Sequence, residues 1–480
     1  MKYAFTPLCS ALAIFAGTAH AEMNFNRIAA FETTRNMGTG EDLNRETSAE
    51  IIAATEDGMT LVYTDSPLGV VGLIDITNPK QPMPLGNVTM DGEPTAVAIH
   101  GNTGFVGVNT SESYTAPSGH IAVLDVKSKK IQQKCDLGGQ PDSVAVAKDG
   151  SLLSIAIEDE RDEDLGDGRK GQMPAGHLVQ FDVKNGSIEC GARRDVILTG
   201  LAKVSPEDPE PEFVDINGLG ETVVTMQENN HMVIVSRDGK VTSHFSAGAV
   251  DLVDIDVEDE RAALTFTETQ MGRKREPDAV KWIDDNHFAT ANEGDMDGGS
   301  RGWTIFHKDG SVVYEAGNTF EHAIVQIGHY PDKRSDSKGV EPESIETATF
   351  DGTPMVFVGA ERSSAVGVYD VSNPSEPVLK QLLASGIGPE GYVSIPERNL
   401  LISANEVDLI EDGGVRAHVM VYEYQNAPAM YPTLTSAGAE ELIHLPPVMH
   451  SLPHPPDPCS HIRSHPFPLP CKLSLLISFL

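Results

Sequence analysis

The 480-residue chain is poor in basic residues, and this shortage restricts what it can bind. It contains 35 Lys and Arg against 71 Asp and Glu, which gives a formal net charge of −36. Such a charge repels nucleic acids and anionic membranes, whereas it favours solubility and cations. We therefore expect no nucleic-acid partner and a setting that contains calcium or other salts. The alternative is a generally acidic secreted surface without a specific ligand.

Long apolar runs are also missing, so we expect no membrane span. The apolar stretch at residues 8–16 follows Lys2 and precedes Ala19-His20-Ala21, which has the small residues of a cleavage site. This order predicts a signal peptide at residues 1–21. The protein is accordingly expected to be secreted or periplasmic.

Common catalytic signatures do not occur in a suitable context. This holds for the G-x-S-x-G nucleophile elbow, the H-E-x-x-H zinc motif, the P-loop and the glycine-rich dinucleotide fingerprint. The catalytic residues, if the protein is an enzyme, are therefore unknown from the sequence.

Only five cysteines are present. Cys135 and Cys190 occupy equivalent places in adjacent repeats of the unit described below, and an exported protein can form disulfides. If both lie on outer strands of neighbouring units, however, their Cα atoms could exceed the roughly 4.4–6.8 Å that a bridge needs. The pairing stays open.

What the chain does have is a repeated unit of short strands. Residues 339–408 contain one complete copy and the start of the next, with strands at 344–350, 355–358, 365–371 and 378–383 separated by turn residues. A proline beside an acidic residue opens six of the copies, at Glu93-Pro94, Pro141-Asp142, Pro211-Glu212, Pro277-Asp278, Pro342-Glu343 and Pro389-Glu390. An earlier copy begins at Ala49, which makes seven.

Seven copies of four strands predict an all-β fold, a seven-bladed β-propeller with four-stranded antiparallel blades, at residues 22–435. One such sheet cannot bury both faces alone, and radial stacking buries them. Two β-sandwiches in tandem are the alternative, but they leave the recurring Pro-acid start unexplained. Insertions at 159–176, 201–210 and 251–260 are expected to be loops, and 320–330 a helix. Residues 436–480 are predicted to be a disordered or aberrant Pro/His-rich tail.

The Pro-acid starts suggest a cation site. In a blade, the first strand begins and the second strand ends at the same mouth of the central channel. The acids at strand starts (Glu93, Asp142, Glu212, Asp278, Glu343, Glu390) and the groups at strand ends (Asn109, Glu158, Glu228, Glu293, Glu361, Asn405, Glu406) should therefore converge. Carboxylate and amide oxygens are calcium ligands. The predicted metal-binding residues are Glu212, Glu228, Asp278, Glu293, Glu343, Glu361, Glu390 and Glu406. The alternative is that these side chains only cap turns.

Basic residues lie beside several of these starts. Arg301, Lys333, Arg334 and Arg362 are candidates for binding a phosphate or carboxylate, because guanidinium forks match such anions. The alternative is that they balance nearby acids.

Several segments resemble the choice-of-anchor I domain family. They are Phe25-Asn26-Arg27-Ile28, residues 56–67 (EDGMTLVYTDSP), 275–282 (REPDAVKW), 291–295 (ANEGD), 339–344 (GVEPES), 359–370 (GAERSSAVGVYD) and 386–391 (GIGPEG). The resemblance covers roughly residues 24–435. It implies a secreted bacterial β-propeller, similar also to mesenchyme-specific surface glycoproteins. Some members are named alkaline phosphatase or continue into a second, esterase-like phytase propeller. Here the usual continuation after Tyr431-Pro432-Thr433-Leu434 is replaced by the Pro/His-rich tail.

Two functions are consistent with these features. The first is a secreted or periplasmic binding module with calcium at the channel mouth, whose small-molecule or protein ligand is unknown. The second is a calcium-dependent phosphoesterase, in which metal would polarise the phosphoryl group.

Overall fold

The computed structural model describes residues 23–162, 164–166, 168–260 and 263–429. The predicted signal peptide at 1–21 and the predicted tail at 436–480 lie outside these residues, and both stay predictions. Within the described residues, no helix has the length and apolar character needed to cross a bilayer.

Seven antiparallel sheets confirm the predicted propeller, and each has four strands except the sheet of blade 3, to which a fifth strand is added. The first strand among the described residues is β1 (Met23–Glu32). Blade 1 contains β2 (Ile52–Ala54), β3 (Thr60–Asp65), β4 (Val70–Asp75) and β5 (Met83–Thr89), and blade 2 contains β6 (Glu93–His100), β7 (Thr103–Asn109), β8 (Gly119–Asp125) and β9 (Lys130–Asp136). Blade 3 contains β10 (Pro141–Val146), β11 (Leu152–Ile157), β12 (His177–Lys184) and β13 (Ser187–Ile188), and β14 (Arg194–Ile197) also pairs with β12. Blade 4 contains β15 (Pro211–Ile216), β16 (Thr222–Met226), β17 (His231–Val235) and β18 (Val241–Ser246).

The remaining strands follow the same plan. After β19 (Ala249–Ile255) and β20 (Glu268–Lys274), blade 5 contains β21 (Val280–Trp282), β22 (His287–Ala291), β23 (Trp303–His307) and β24 (Val312–Glu315). Blade 6 contains β25 (Pro342–Phe350), β26 (Thr353–Ala360), β27 (Ala365–Asp370) and β28 (Val378–Ala384), and blade 7 contains β29 (Pro389–Ile395), β30 (Leu400–Asn405) and β31 (His418–Asn426). Short 3₁₀ helices occur at Thr33–Asn36, Cys190–Ala192, Asp332–Arg334, Glu361–Ser363 and Pro396–Arg398.

The local sequence explains the strands and their turns. Strand interiors such as Thr222–Met226 (TVVTM) are rich in β-branched residues, which favour a pleated, buried surface. Between β25 and β26, Asp351 and Gly352 both have positive φ angles, of 48° and 79°. A two-residue hairpin of this kind needs that backbone, and Asp-Gly adopts it readily.

The core is divided among the seven contacts between blades. Each of seven buried apolar clusters joins strands of two consecutive blades, including blades 7 and 1. The first strands of consecutive blades also pack against one another, with β29 against β2. The ring is therefore closed, and its innermost strands surround the channel.

Closure depends on β1, which the repeat pattern did not predict. This strand pairs with β31 and supplies the outer strand of blade 7. The Gln381 side chain accepts from the Phe25 backbone N–H at 3.0 Å and donates to the Phe25 carbonyl oxygen at 2.8 Å. The first described strand thus completes the sheet that contains the last one.

Two insertions lie on either side of blade 5. Residues 251–255 of the expected loop at 251–260 belong instead to β19, which forms a two-stranded hairpin with β20. The predicted helix is α1 (Thr319–Gln326), which is shorter than the 320–330 expected.

Cys135 and Cys190 form a disulfide, with Cα atoms 5.2 Å apart. Cys135 lies at the end of the outer strand of blade 2. Cys190 follows the two-residue strand β13 and begins a 3₁₀ helix that lies beside the outer strand of blade 2. The turn that follows the outer strand of blade 3 therefore comes close enough to the outer strand of blade 2 for the bridge that the sequence left open.

We predict that removing the Phe25 ring weakens the closure of the ring. Phe25 is 1% exposed, and its ring centroid lies 5.0 Å from that of Phe350 and 5.4 Å from that of Phe357. Phe25→Ala should lower the free energy of unfolding by about 3–5 kcal/mol, measured by denaturant titration. The control Val378→Ala, on an exposed outer strand, should change it by less than about 0.5 kcal/mol. Equal effects of the two variants would show that β1 does not hold blade 7.

The disulfide allows a second stability test. It closes a loop with a sequence separation of 55, so the double variant Cys135→Ala/Cys190→Ala should lose about 2–5 kcal/mol of unfolding free energy. The same loss should follow reduction of the natural chain and be absent on reduction of the variant. Loss of stability on reduction of the variant would point to another reducible group.

Candidate functional site

The acids at the starts of the inner strands face the channel because the backbone bulges there. In blades 3, 4, 6 and 7 the proline is paired with the second strand, and the register then shifts. A bulge inserts an extra residue and turns its side chain away from the regular alternation. The residues directly after these prolines are Asp142, Glu212, Glu343 and Glu390.

In these blades the second strand ends opposite the proline. Pro141 is opposite Ile157, Pro342 is opposite Ala360, and Pro389 is opposite Asn405. Glu158, Glu361 and Glu406 follow these partners directly, and Glu228 and Glu293 lie two residues beyond β16 and β22. The acids at strand starts and strand ends thus lie at one mouth of the channel, as the antiparallel pairing predicted. That they hold a metal stays a prediction.

Two groups of three carboxylates are especially close. Oxygen atoms of Asp142, Glu158 and Glu212 lie within 4.8 Å of one another, and we call these residues the blade 3–4 cluster. Oxygen atoms of Asp278, Glu293 and Glu343 do the same, and we call them the blade 5–6 cluster. Each cluster combines the start and end acids of one blade with the start acid of the next. Their construction is therefore equivalent.

The remaining predicted ligands connect these clusters around the mouth. Glu228 repels Glu158 and Glu212, and its neighbours also include Asp295. On the other side, Glu361 lies within hydrogen-bonding reach of both Glu343 and Glu406. Glu390 is next to Glu361 and Glu406.

Several of these oxygens have no protein donor. Glu228 is 8% exposed. Among the described residues, buried Oε2 atoms of Glu228, Glu343 and Glu390 have no hydrogen-bond partner. A buried carboxylate without a donor is costly unless a cation or a proton compensates it. These atoms therefore point to a positively charged ligand or to protonation.

The acidity of the cluster carboxyls follows from this environment. Burial raises the pKa of Glu50 and Asp142 to about 7, and that of Glu228 and Glu361 to about 8. In five further carboxyl groups, burial and repulsion between neighbouring carboxylates raise the pKa well above the ordinary value. These groups are Glu158, Glu212, Asp278, Glu343 and Glu390. Without a cation, part of the ring is protonated at neutral pH.

Behind the carboxylates, the channel continues as a cavity of about 380 Å³. Its wall includes apolar side chains of the inner strands, among them Ile51, Ile99 and Val146. Deeper polar groups are Asp215, Lys281 and Glu346. Burial lowers the pKa of Lys281, but Asp215 and Glu346 more than offset this effect, so its pKa is raised and it stays charged.

Three of the four predicted anion-binding residues are already paired with carboxylates. Arg301 and Glu321 are both fully buried and lie 3.4 Å apart. Arg334 donates to both oxygens of Glu341, at 2.7 Å and 2.6 Å. Arg362 lies 2.7 Å from Glu361 at the rim. The fourth, Lys333, is exposed on a 3₁₀ turn.

Some features of the mouth were not anticipated. Glu50 occupies in blade 1 the place of Glu390 in blade 7, with Ala49 where the other blade has Pro389. Because the proline is missing, the Pro-acid pattern did not reveal it. In blade 2 the residue after the proline is Thr95, and Glu93 is instead exposed at the rim.

The choice-of-anchor I domain family matches residues 50–298 and 296–374. The chain belongs to this family. Choice-of-anchor I domains are typical of extracellular or cell-surface proteins.

A curated relative of this choice-of-anchor I domain is Gigasin-3a of Magallana gigas. It is 33% identical over 101 residues, which are 18% of this chain and 36% of the relative. The match thus spans about a third of the length of that protein.

Solved propellers share the fold at low identity. The structure of the RRP9 WD40 repeats has a TM-score of 0.55 and 10% identity, and covers 84% of this chain and 100% of that one. The structure of U3-55K has a TM-score of 0.53 and 9% identity, and covers 82% of this chain and 98% of that one. At this identity the likeness concerns the fold alone.

We predict that the metal-free protein loses stability as pH rises. The buried carboxyls bind protons more tightly in the folded state than in the unfolded state, where their pKa is near 4. Their stabilising effect is complete below pH 4 and is lost as pH rises through about 7 to 8, with a slope of about 1.4 kcal/mol per pH unit for each extra proton.

The unfolding free energy should therefore be higher at pH 5.5 than at pH 8 in buffer with chelator. The double variant Glu212→Gln/Glu343→Gln should show a shallower decline, whereas the exposed control Glu376→Gln should keep the natural one. A flat profile for the natural chain would contradict the raised pKa values.

Proposed function

We propose that the protein is an exported binding module whose channel mouth binds divalent cations, with calcium as the preferred ion. The observation that carries this proposal is the pair of three-carboxylate clusters, with oxygens within 4.8 Å, facing one channel. Calcium takes about six to eight hard oxygen ligands at 2.3–2.6 Å, and carboxylates are its commonest protein ligands. The mouth offers such oxygens from several directions.

The buried, donor-free Oε2 atom of Glu228 supports the same proposal independently of the cluster geometry. Its neighbours at the blade 3–4 cluster are acids, and its own backbone N–H and the nearby Arg161 only partly offset the burial and repulsion that raise its pKa. A divalent ion would compensate several of these carboxylates together. Protonation would compensate only one at a time.

Export is part of this proposal. The family is typical of extracellular or cell-surface proteins, and a structural disulfide such as Cys135–Cys190 is favoured in oxidising compartments. Extracellular fluids also supply the calcium that weak sites need. The predicted signal peptide at residues 1–21 agrees with this location.

The cavity behind the mouth supports the role of a binding module. Its volume, about 380 Å³, is within the range of small-molecule sites. We do not propose the phosphoesterase function, because Arg301, Arg334 and Arg362 already neutralise Glu321, Glu341 and Glu361. A phosphate group would have to displace those partners.

Calcium should stabilise the purified chain. At pH 7.5, a free calcium concentration of 100 times the dissociation constant should add about 2.7 kcal/mol to the unfolding free energy, and calorimetric titration should show saturable binding. Asp142→Asn/Glu212→Gln should abolish most of this binding. The matched control Glu376→Gln/Glu397→Gln removes the same number of charges from exposed positions and should leave it intact. No saturable heat and no stabilisation in the natural chain would overturn the proposal.

A further inference from the structure

The two carboxylate clusters are built alike but differ in what already touches them. In the blade 5–6 cluster, Lys338 Nζ lies 2.9 Å from Glu293 Oε1. The other oxygen, Glu293 Oε2, accepts a hydrogen bond of 2.7 Å from Gln227 Nε2. Both oxygens of Glu293 are therefore occupied by donors, and one of these donors carries a full positive charge.

Lys338 is not a flexible surface residue. Its side chain is 18% exposed, and the loop that carries it is tied down on both sides. Arg273 donates to the Ser337 carbonyl oxygen at 3.0 Å, and the Gly339 N–H donates to the Arg334 carbonyl oxygen at 2.8 Å. The ammonium group is thus positioned at the cluster by the backbone.

The blade 3–4 cluster has a neutral residue in the corresponding role. Gln140 Nε2 lies 3.3 Å from Glu158 Oε2 and 3.4 Å from Glu160 Oε2. In the part of the chain that the structure describes, no ion pair joins Asp142, Glu158 or Glu212 to a Lys or Arg. The nearby guanidinium of Arg161 forms its ion pairs with Glu210 and Asp208, and it reaches the neighbouring Glu228 only as a more distant charge.

We propose that Lys338 is the built-in counter-ion of the blade 5–6 cluster, and that it restricts high-affinity calcium binding to the blade 3–4 cluster. This inference rests on the cation binding proposed above and adds which cluster is used and why. An ammonium group held against Glu293 repels an arriving divalent ion and already uses one of the oxygens that the ion needs. Gln140 imposes no charge repulsion on an ion at the blade 3–4 cluster. The donor-free Oε2 of buried Glu228, beside that cluster, supplies a further oxygen.

A reciprocal exchange of the two residues tests this. Calorimetric titration of the full chain with calcium chloride at pH 7.5 should give one high-affinity ion for the natural protein. Lys338→Met should give two, and Lys338→Gln, which can keep a hydrogen bond to Glu293 without the charge, should also give two. Gln140→Lys should weaken the single site about tenfold or more. The double variant Gln140→Lys/Lys338→Met should again bind one ion, now at the other cluster.

Matched controls separate local from general charge effects. Lys333→Met removes a lysine from the exposed part of the same loop and should leave stoichiometry and affinity unchanged. Far-ultraviolet circular dichroism should show the natural strand content for every variant. Adding Glu343→Gln to the double variant should remove its single site, whereas adding Glu212→Gln should not.

The outcomes distinguish the inference from the proposed function. If the natural chain and all variants bind no calcium, the proposed function fails. If the natural chain binds two ions, or if a folded Lys338→Met and Lys338→Gln both still bind one, calcium binding stands and the role of Lys338 is overturned.

Discussion

The crowding of carboxylates around one channel mouth is the constraint on which the chemistry of this propeller depends. Six of the seven blades place an acid at the channel-facing position near the start of the inner strand, and blade 2 has Thr95 at that position. Because the ring is closed, these side chains cannot move apart without opening a contact between blades. Repulsion and burial must therefore be balanced by protons, by cations of the chain or by bound ions.

Where a strand starts with Glu-Pro-acid, the two carboxylates have different environments. In Glu276-Pro277-Asp278 the first acid is fully buried and accepts hydrogen bonds from backbone N–H groups of Asp295, Asp297 and Gly298. In Glu341-Pro342-Glu343 the first acid holds Arg334. The second acid of each start faces the channel. Cations and donors of the surrounding loops are thus used largely by the first acids, which leaves the second acids short of partners.

The sequence predicted the blade count and the convergence of acids because both depend on short-range pattern. Strand alternation and a recurring Pro-acid start are local, and antiparallel pairing fixes where adjacent strands begin and end. The closure by β1 was not predictable in this way, since its partner β31 is at the far end of the described chain. The alignment of Glu50 with Glu390 depends on register rather than on a proline. The carboxylate partners of Arg301 and Arg334 depend on the conformations of loops, whose sequences show no periodic pattern from which a contact could be predicted.

The charge that distinguishes the two carboxylate clusters also comes from a loop and not from the repeat. The repeat supplies the acids, so the blade 3–4 and blade 5–6 clusters have equivalent carboxylates. Lys338, by contrast, belongs to the segment inserted between α1 and β25, and the connection between β14 and β15 after blade 3 has a different length and sequence. A repeated fold with closed symmetry would bind the same ion at every equivalent position. In the role proposed for Lys338, an insertion breaks that equivalence by placing a fixed charge at one cluster, without any change in the carboxylates themselves.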